Sequence, residues 1–328
     1  MKNNFKIFIL ILIVAIAGVF MYFLNNKTPS EKAPPIITGN SITGCYVAHL
    51  QKDIYTLVIQ SEDNGNIVGA LAYNNYQKDS SSGSFNGTFV SNILLGNYSF
   101  DSEGMRSDRQ VIFKKVGDSF VQGFGPVKTV GGKEIFDTDK ITYDSKSTFI
   151  KSNDCSEHFV DSNNVFSFDY NSFFQSIGRI DTSPTTDWSL NSKQKGVIFA
   201  SVIVPRTYMP DTNFSSARLT IGQSTNLNAI KSCLSKTQES DIDNGTVIID
   251  GHSFKKFIWN SAGAGNFYDT VSYKGIVDGD CYAIEYTIHS TNIENYSPDQ
   301  GIKEFSKAKI QDEIGKIIKS LKFLINSN

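Results

Sequence analysis

The spacing of apolar positions changes several times along this chain, and each change predicts a different kind of element. The first is an unbroken apolar run, Ile7 to Leu24 (IFILILIVAIAGVFMYFL), without charge or proline. A helix needs roughly 17–25 apolar residues to cross the hydrocarbon core of a bilayer, and its backbone polar groups are satisfied internally. Residues 1–24 are therefore expected to be a transmembrane anchor, partnered by the lipid bilayer through residues 7–24. Lys2 and Lys6 precede the run and favour a cytoplasmic N-terminus. Ala15-Ile16-Ala17 looks like a cleavage site, but the run continues for another seven residues to Leu24, past the length of an ordinary signal-peptide core. An uncleaved, single-pass anchor is the expectation, and either reading exports the rest. Residues 25–43 are polar, carry Pro29, Pro34 and Pro35, and are expected to form a stalk.

From Gly44 the period becomes two. Short apolar runs at Cys45–Leu50, Ile54–Gln60, Ile67–Tyr73, Ser84–Phe89, Leu94–Phe100, Gln110–Lys114 and Phe120–Phe124 are separated by turn signals such as Asn64-Gly65 and Gly117-Asp118. Phe85 and Phe89, Tyr98 and Phe100, and Phe120 and Phe124 share parity within their strands, which gives one core face. Gly69, Gly87, Gly96 and Gly123 fall inside strands and suggest bends that coil a small sheet toward closure. Residues 44–162 are thus expected to be an antiparallel β-meander domain, a small coiled sheet or barrel. Lys128 to Asn164 is less regular.

Residues 163–328 mix periods and predict an α+β domain with an antiparallel sheet and two helices. Phe166, Phe168 and Tyr170 alternate with polar residues, and Val197–Val204 is apolar on both faces, as in a central strand. Leu227, Ile230 and Leu234 have helical spacing, with Ser224 or Thr225 as cap. Asn244-Gly245 and Asp250-Gly251 are hairpin-turn signals. Tyr282, Ile284, Tyr286 and Ile288 form one strand face, and Glu285 on the opposite face is expected to be an ordinary exposed carboxylate. Phe305, Ile310, Ile314, Ile317, Ile318 and Leu321 predict a late amphipathic helix, with a closing strand at Lys322–Ile325.

The four cysteines gain meaning from the anchor. In an exported chain an even number predicts disulfides. Cys45 and Cys155 bracket the first half, while Cys233 and Cys281 lie in the second, so the expected pairs are Cys45–Cys155 and Cys233–Cys281. Across 328 residues the net charge is −2, with no basic patch, so no nucleic-acid partner is expected. His49, His158, His252 and His289 are scattered, without metal-ligand spacing, and Asp241 to Asp250 lacks the glycine and glutamate of a calcium loop. No catalytic motif, phosphate loop or dinucleotide fingerprint occurs, so no metal, cofactor or enzymatic activity is expected. The segment SAGAGNFYDTVSYKG joins small residues to Phe267, Tyr268 and Tyr273 and is the candidate binding loop.

The order of an opening FSFDY strand, an antiparallel sheet and a late helix running into IIKSLKFL resembles the PsbP/Mog1-like α/β sandwich domains over roughly Asn163 to Ile325. Those domains usually carry a proline after the opening aromatic strand, where this chain has Asn171. The resemblance implies a non-enzymatic binding or assembly role and transfers no functional residue. The functional expectation is a membrane-anchored extracytoplasmic protein that binds or assembles with a protein partner. The alternatives are a barrel that binds a small apolar molecule and, behind it, an exported hydrolase. Closed barrels of fewer than about eight strands are filled by their own side chains, which weighs against the barrel reading.

Overall fold

Alternating runs joined by tight turns favour antiparallel ladders, and the first half of the described chain is built mainly from them. The computed structural model describes residues 41–324, apart from 77, 103–104, 131–132, 178–179, 182–187, 191, 193 and 237–240. The apolar run Ile7–Leu24 and nearly all of the stalk lie outside the described residues. Among the described residues no helix is long and apolar enough to cross a membrane.

Seven strands follow one another as antiparallel neighbours: β1 (Gly44–Leu50), β2 (Asp53–Asp63), β3 (Asn66–Asn74), β4 (Ser81–Val90), β5 (Ile93–Ser102), β6 (Met105–Val116) and β7 (Ser119–Phe124). Asn64 and Gly65 turn β2 into β3 with φ of 49° and 80°, a conformation that these two residue types tolerate. A side hairpin follows, β8 (Val127–Val130) and β9 (Lys133–Phe136). Then β10 (Thr142–Ser152) pairs with β7 along one edge and with β1 along the other. Eight strands therefore close into an antiparallel barrel. The eighth strand lies in the stretch that looked irregular, because TYDSKSTFIKS places only Phe149 and Ser147 in the interior and breaks register between Tyr143 and Thr148. Gly96 marks how tightly the wall curves: a Cβ there would lie 2.6 Å from the Phe85 ring.

The second half is built on an antiparallel sheet in the order β13 (Gln175–Ile177), β15 (Val197–Pro205), β16 (Phe214–Ser224), β20 (Asp280–Thr291), β19 (Asn266–Val277), β18 (His252–Gly263), β17 (Ile242–Ile249), with β14 (Ile180–Asp181) also on β15. Helix α1 (Leu227–Ser232) leaves β16, and α2 (Lys307–Ser320) follows β20. A small sheet joins β11 (Ser156–Val160), β12 (Phe166–Asn171) and β21 (Lys322–Phe323). Ile310, Ile314, Ile317 and Ile318 of α2 enter one core with Phe166 and Phe168 of β12 and with Leu219, Ile221, Tyr282 and Ile284 of the large sheet. Ser306 caps α2 by accepting from the Lys309 N–H.

Several local expectations change. Asn244-Gly245 is a bulge inside β17, not a hairpin turn, and the register shifts between Asp243 and Thr246. Asn226, rather than Ser224 or Thr225, caps α1. That helix buries Ala229 and Cys233, four residues apart, and leaves Leu227 81% exposed. The bond from Cys233 to Cys281 turns this face toward the sheet, so Leu227 and Leu234 point outward.

The two halves are knitted together. Cys45 of β1 is bonded to Cys155, just before β11, and among the described residues no cysteine is free. Thr56 and Asn74 of the barrel donate to the Ser172 carbonyl, and Ala70 and Ala72 of β3 join the second core. The expected division between residues 162 and 163 falls between β11 and β12, which are hydrogen-bonded to each other.

Candidate functional site

Inside a barrel, alternate residues of every strand face the lumen. At one end of this lumen those positions carry rings. Phe113 meets Phe149 edge-on at 5.3 Å, Tyr46 meets Phe120 at 4.9 Å, and Phe85 meets Phe113 at 6.4 Å. These residues are almost fully buried, and that end is solid.

Toward the other end the inward residues of the same strands become polar or amphipathic. They include Tyr55 on β2, Tyr73 on β3, Arg109 on β6, Gln122 on β7 and Ser147 on β10. They line a cavity of about 540 Å³ whose apolar wall includes Leu50, Phe100, Val111 and Phe136. That volume falls within the range typical of small-molecule pockets, roughly 300–1,000 Å³. The β8–β9 hairpin stands beside the mouth, held by a hydrogen bond from the Phe136 N–H to Gln110 Oε1 at 2.8 Å.

Arg109 is the cation of this mouth. Its guanidinium lies 5.1 Å from the Tyr73 ring centre, 5.3 Å from Tyr98 and 5.1 Å from Phe100. Tyr98 and Phe100, two apart on β5, stack on each other at 4.8 Å beside it. Gln122 is 6% exposed and donates through Nε2 to Tyr73 Oη at 2.7 Å, but its Oε1 has no hydrogen-bond partner. A buried acceptor left unmade costs about 1–3 kcal/mol, so this atom is notable at the wall of a cavity. Tyr98 Oη donates to Ser81 Oγ at 3.1 Å. Burial pushes the Tyr73 phenol up to about 12, against the opposing pull of Arg109 and Gln122, and pushes Tyr98 well above its ordinary value. Both phenols are neutral at physiological pH. Among the described residues the lining joins apolar walls to one guanidinium, the Gln122 amide and the carboxylates of Asp79 and Glu134, with no histidine or cysteine.

The candidate loop residues lie elsewhere. The segment from Ser261 onward is a regular ribbon, β18 turning through Ala264 and Gly265 into β19. Phe267 and Tyr268 stand exposed at its tip beside a surface cleft of about 570 Å³, where Tyr268 stacks on His289 at 4.5 Å. Tyr273 is half-buried at the other end of β19 against the second core. The structure does not bring the three together.

Glu285 is not exposed. The stretch Trp188–Leu190 covers that face of the sheet together with α1, and Glu285 is 3% exposed. Its carboxylate accepts from the Leu190 N–H at 2.6 Å, Ser272 Oγ at 2.7 Å and Ser189 Oγ at 3.0 Å. Burial pushes its pKa up, opposed by Lys274 and these donors, while burial pushes Lys274 down, opposed by Glu285 and Asp241. The Glu285 carboxylate thus has three hydrogen-bond donors inside the fold.

No protein-family model matches this chain, and no curated protein does. Among solved structures, one from Bacteroides thetaiotaomicron VPI-5482 is similar at 14% identity and a TM-score of 0.30, over 52% of this chain and 50% of that one. The chain thus spans about half the length of that structure. MucB in complex with MucA(peri) is similar at 7% identity and a TM-score of 0.19, over 85% of this chain and 91% of that one.

Proposed function

We propose that the protein is an exported, membrane-tethered binding protein whose barrel takes up a small, largely apolar molecule at its mouth. The observation that carries this reading is the asymmetry of the lumen. One half is packed with phenylalanine and tyrosine, and the other holds a cavity of about 540 Å³ at whose wall a buried amide oxygen has no partner. A barrel that served only as scaffold would gain by filling both halves, since interiors pack to the density of organic crystals. Eight strands are enough to enclose one small ligand. Export is supported by the apolar run at Ile7–Leu24 and by two disulfides, which persist in oxidising compartments.

The test is fluorescence titration with the neutral apolar dye N-phenyl-1-naphthylamine. Its emission should rise on binding, and Leu50→Trp, which enlarges a half-buried side chain at the mouth, should weaken binding by about tenfold or more, equivalent to about 1.4 kcal/mol. Leu227→Trp, on exposed α1, should leave binding as it is. Absence of dye binding by the folded protein, or equal binding by Leu50→Trp, overturns the reading.

A further inference from the structure

Resting on that reading, we propose a ligand class: a small monoanionic carboxylate on an apolar or aromatic body, its carboxylate held by Arg109. The guanidinium carbon of Arg109 lies 5.1–5.3 Å from the centres of three rings, Tyr73, Tyr98 and Phe100. Its side chain is exposed to the mouth, and among the described residues no carboxylate forms an ion pair with it. The planar fork of a guanidinium matches a carboxylate through two parallel hydrogen bonds. Tyr73 and Phe100 line the same cavity and give the ligand's body an aromatic wall.

The remaining charges at the mouth limit the anion to a single charge. Asp79 and Glu134 line the same cavity, so among the described residues its charged lining comprises one cation and two carboxylates. A second negative charge on the ligand would face these carboxylates, with no further cation among the described lining residues to offset it. Phosphate esters and nucleotides are therefore disfavoured, and a lone carboxylate paired with Arg109 is the charge the site accommodates.

The experiment uses calorimetry with two matched probes on the oxidised protein: 3-phenylpropanoate and its primary amide. The acid should bind about tenfold or more tightly than the amide, because a hydrogen bond to a charged group contributes about 1.5–3 kcal/mol. Arg109→Gln should collapse the acid-to-amide ratio toward one, and Arg109→Lys should recover only a fraction of it. The first comparison needs no variant, so misfolding of a mutant cannot hide its result. Equal binding of acid and amide by the unaltered protein overturns the assignment. So does binding of the neutral dye with neither of these probes, which leaves the barrel-binding reading in place. If neither dye nor probes bind, both fall.

Discussion

Replacing Glu285 with leucine should destabilise the protein by about 3 kcal/mol or more, and the size of that effect follows from what the substitution strands. The carboxylate accepts from three donors, one of them the backbone N–H of Leu190 at 2.6 Å. Leucine fills similar space but accepts nothing. An orphaned buried N–H costs about 1–3 kcal/mol, while the two serine hydroxyls can rotate toward other acceptors. Lys274, itself 7% exposed, loses the favourable field of the Glu285 carboxylate and retains that of Asp241. Removing one partner of a buried ion pair typically costs about 3–5 kcal/mol, and a coupling shared with Asp241 places this case toward the lower end. Urea unfolding followed by circular dichroism reads the change. At a slope of about 2–3 kcal/mol/M the midpoint should fall by about 1 M or more. Glu285→Gln, which keeps an acceptor but no charge, should fall between. The double variant Glu285→Leu with Lys274→Met should recover much of the loss, because an apolar replacement of a whole buried pair is often neutral. A single leucine variant within about 0.5 kcal/mol of the parent, a change typical of inconsequential surface sites, would refute the reasoning. So would a double variant no more stable than the single.

Two further outcomes follow from the same structure. The disulfides close loops of 110 and 48 residues, which the chain-entropy model converts to about 4.8 and 4.1 kcal/mol. Replacing Cys233 and Cys281 with serine should lower stability on that scale in denaturant unfolding and raise hydrogen exchange first in α1. Replacing Cys45 and Cys155 should loosen the junction between barrel and second half. The third prediction concerns Asp250, where burial works to raise the pKa but is outweighed by the Lys322 ammonium at 2.9 Å and the Phe323 N–H at 2.8 Å, so that the net shift is downward. A depressed folded pKa stabilises the protein above the unfolded carboxylate value, near 3.9, and that contribution is lost as pH falls through the folded value. Stability should therefore drop on acidification below about pH 4, and Asp250→Asn should flatten part of that limb in melts taken as a function of pH.

How much of this was legible in the sequence depended on how strongly each segment commits to one face. The seven strands from Cys45 to Phe124 were visible because large aromatic residues recur at a period of two. The late helix was visible because Ile310, Ile314 and Ile317 keep helical spacing over a full face. The cysteine pairs were visible because two cysteines fall in each half. By contrast β10 commits little: one phenylalanine and one buried serine in eleven residues look like a loop, and only closure against β1 and β7 makes them a strand. Glu285 was misplaced because the cover over its face, Trp188 to Leu190, arrives from nearly a hundred residues away and has no regular period.

The cavity itself did leave a signal, in the parity of its polar residues. Arg109 has the parity of Val111 and Phe113, and Gln122 has that of Phe120, so on each strand a polar side chain adjoins the buried apolar residues of the inward face. On a sheet with one solvated face such a residue ends the buried stretch and faces water. In a closed barrel the same position still faces the lumen, and a side chain there must be paired, hydrated or opposite a ligand. The strand expected over Gln110–Lys114 begins one residue past Arg109. With eight strands closed the rule reverses. Two polar residues at inward parity on adjacent strands, β6 and β7, above a floor of phenylalanine rings, describe a lumen that stops being core partway along its axis, and that change of character is where a ligand can enter.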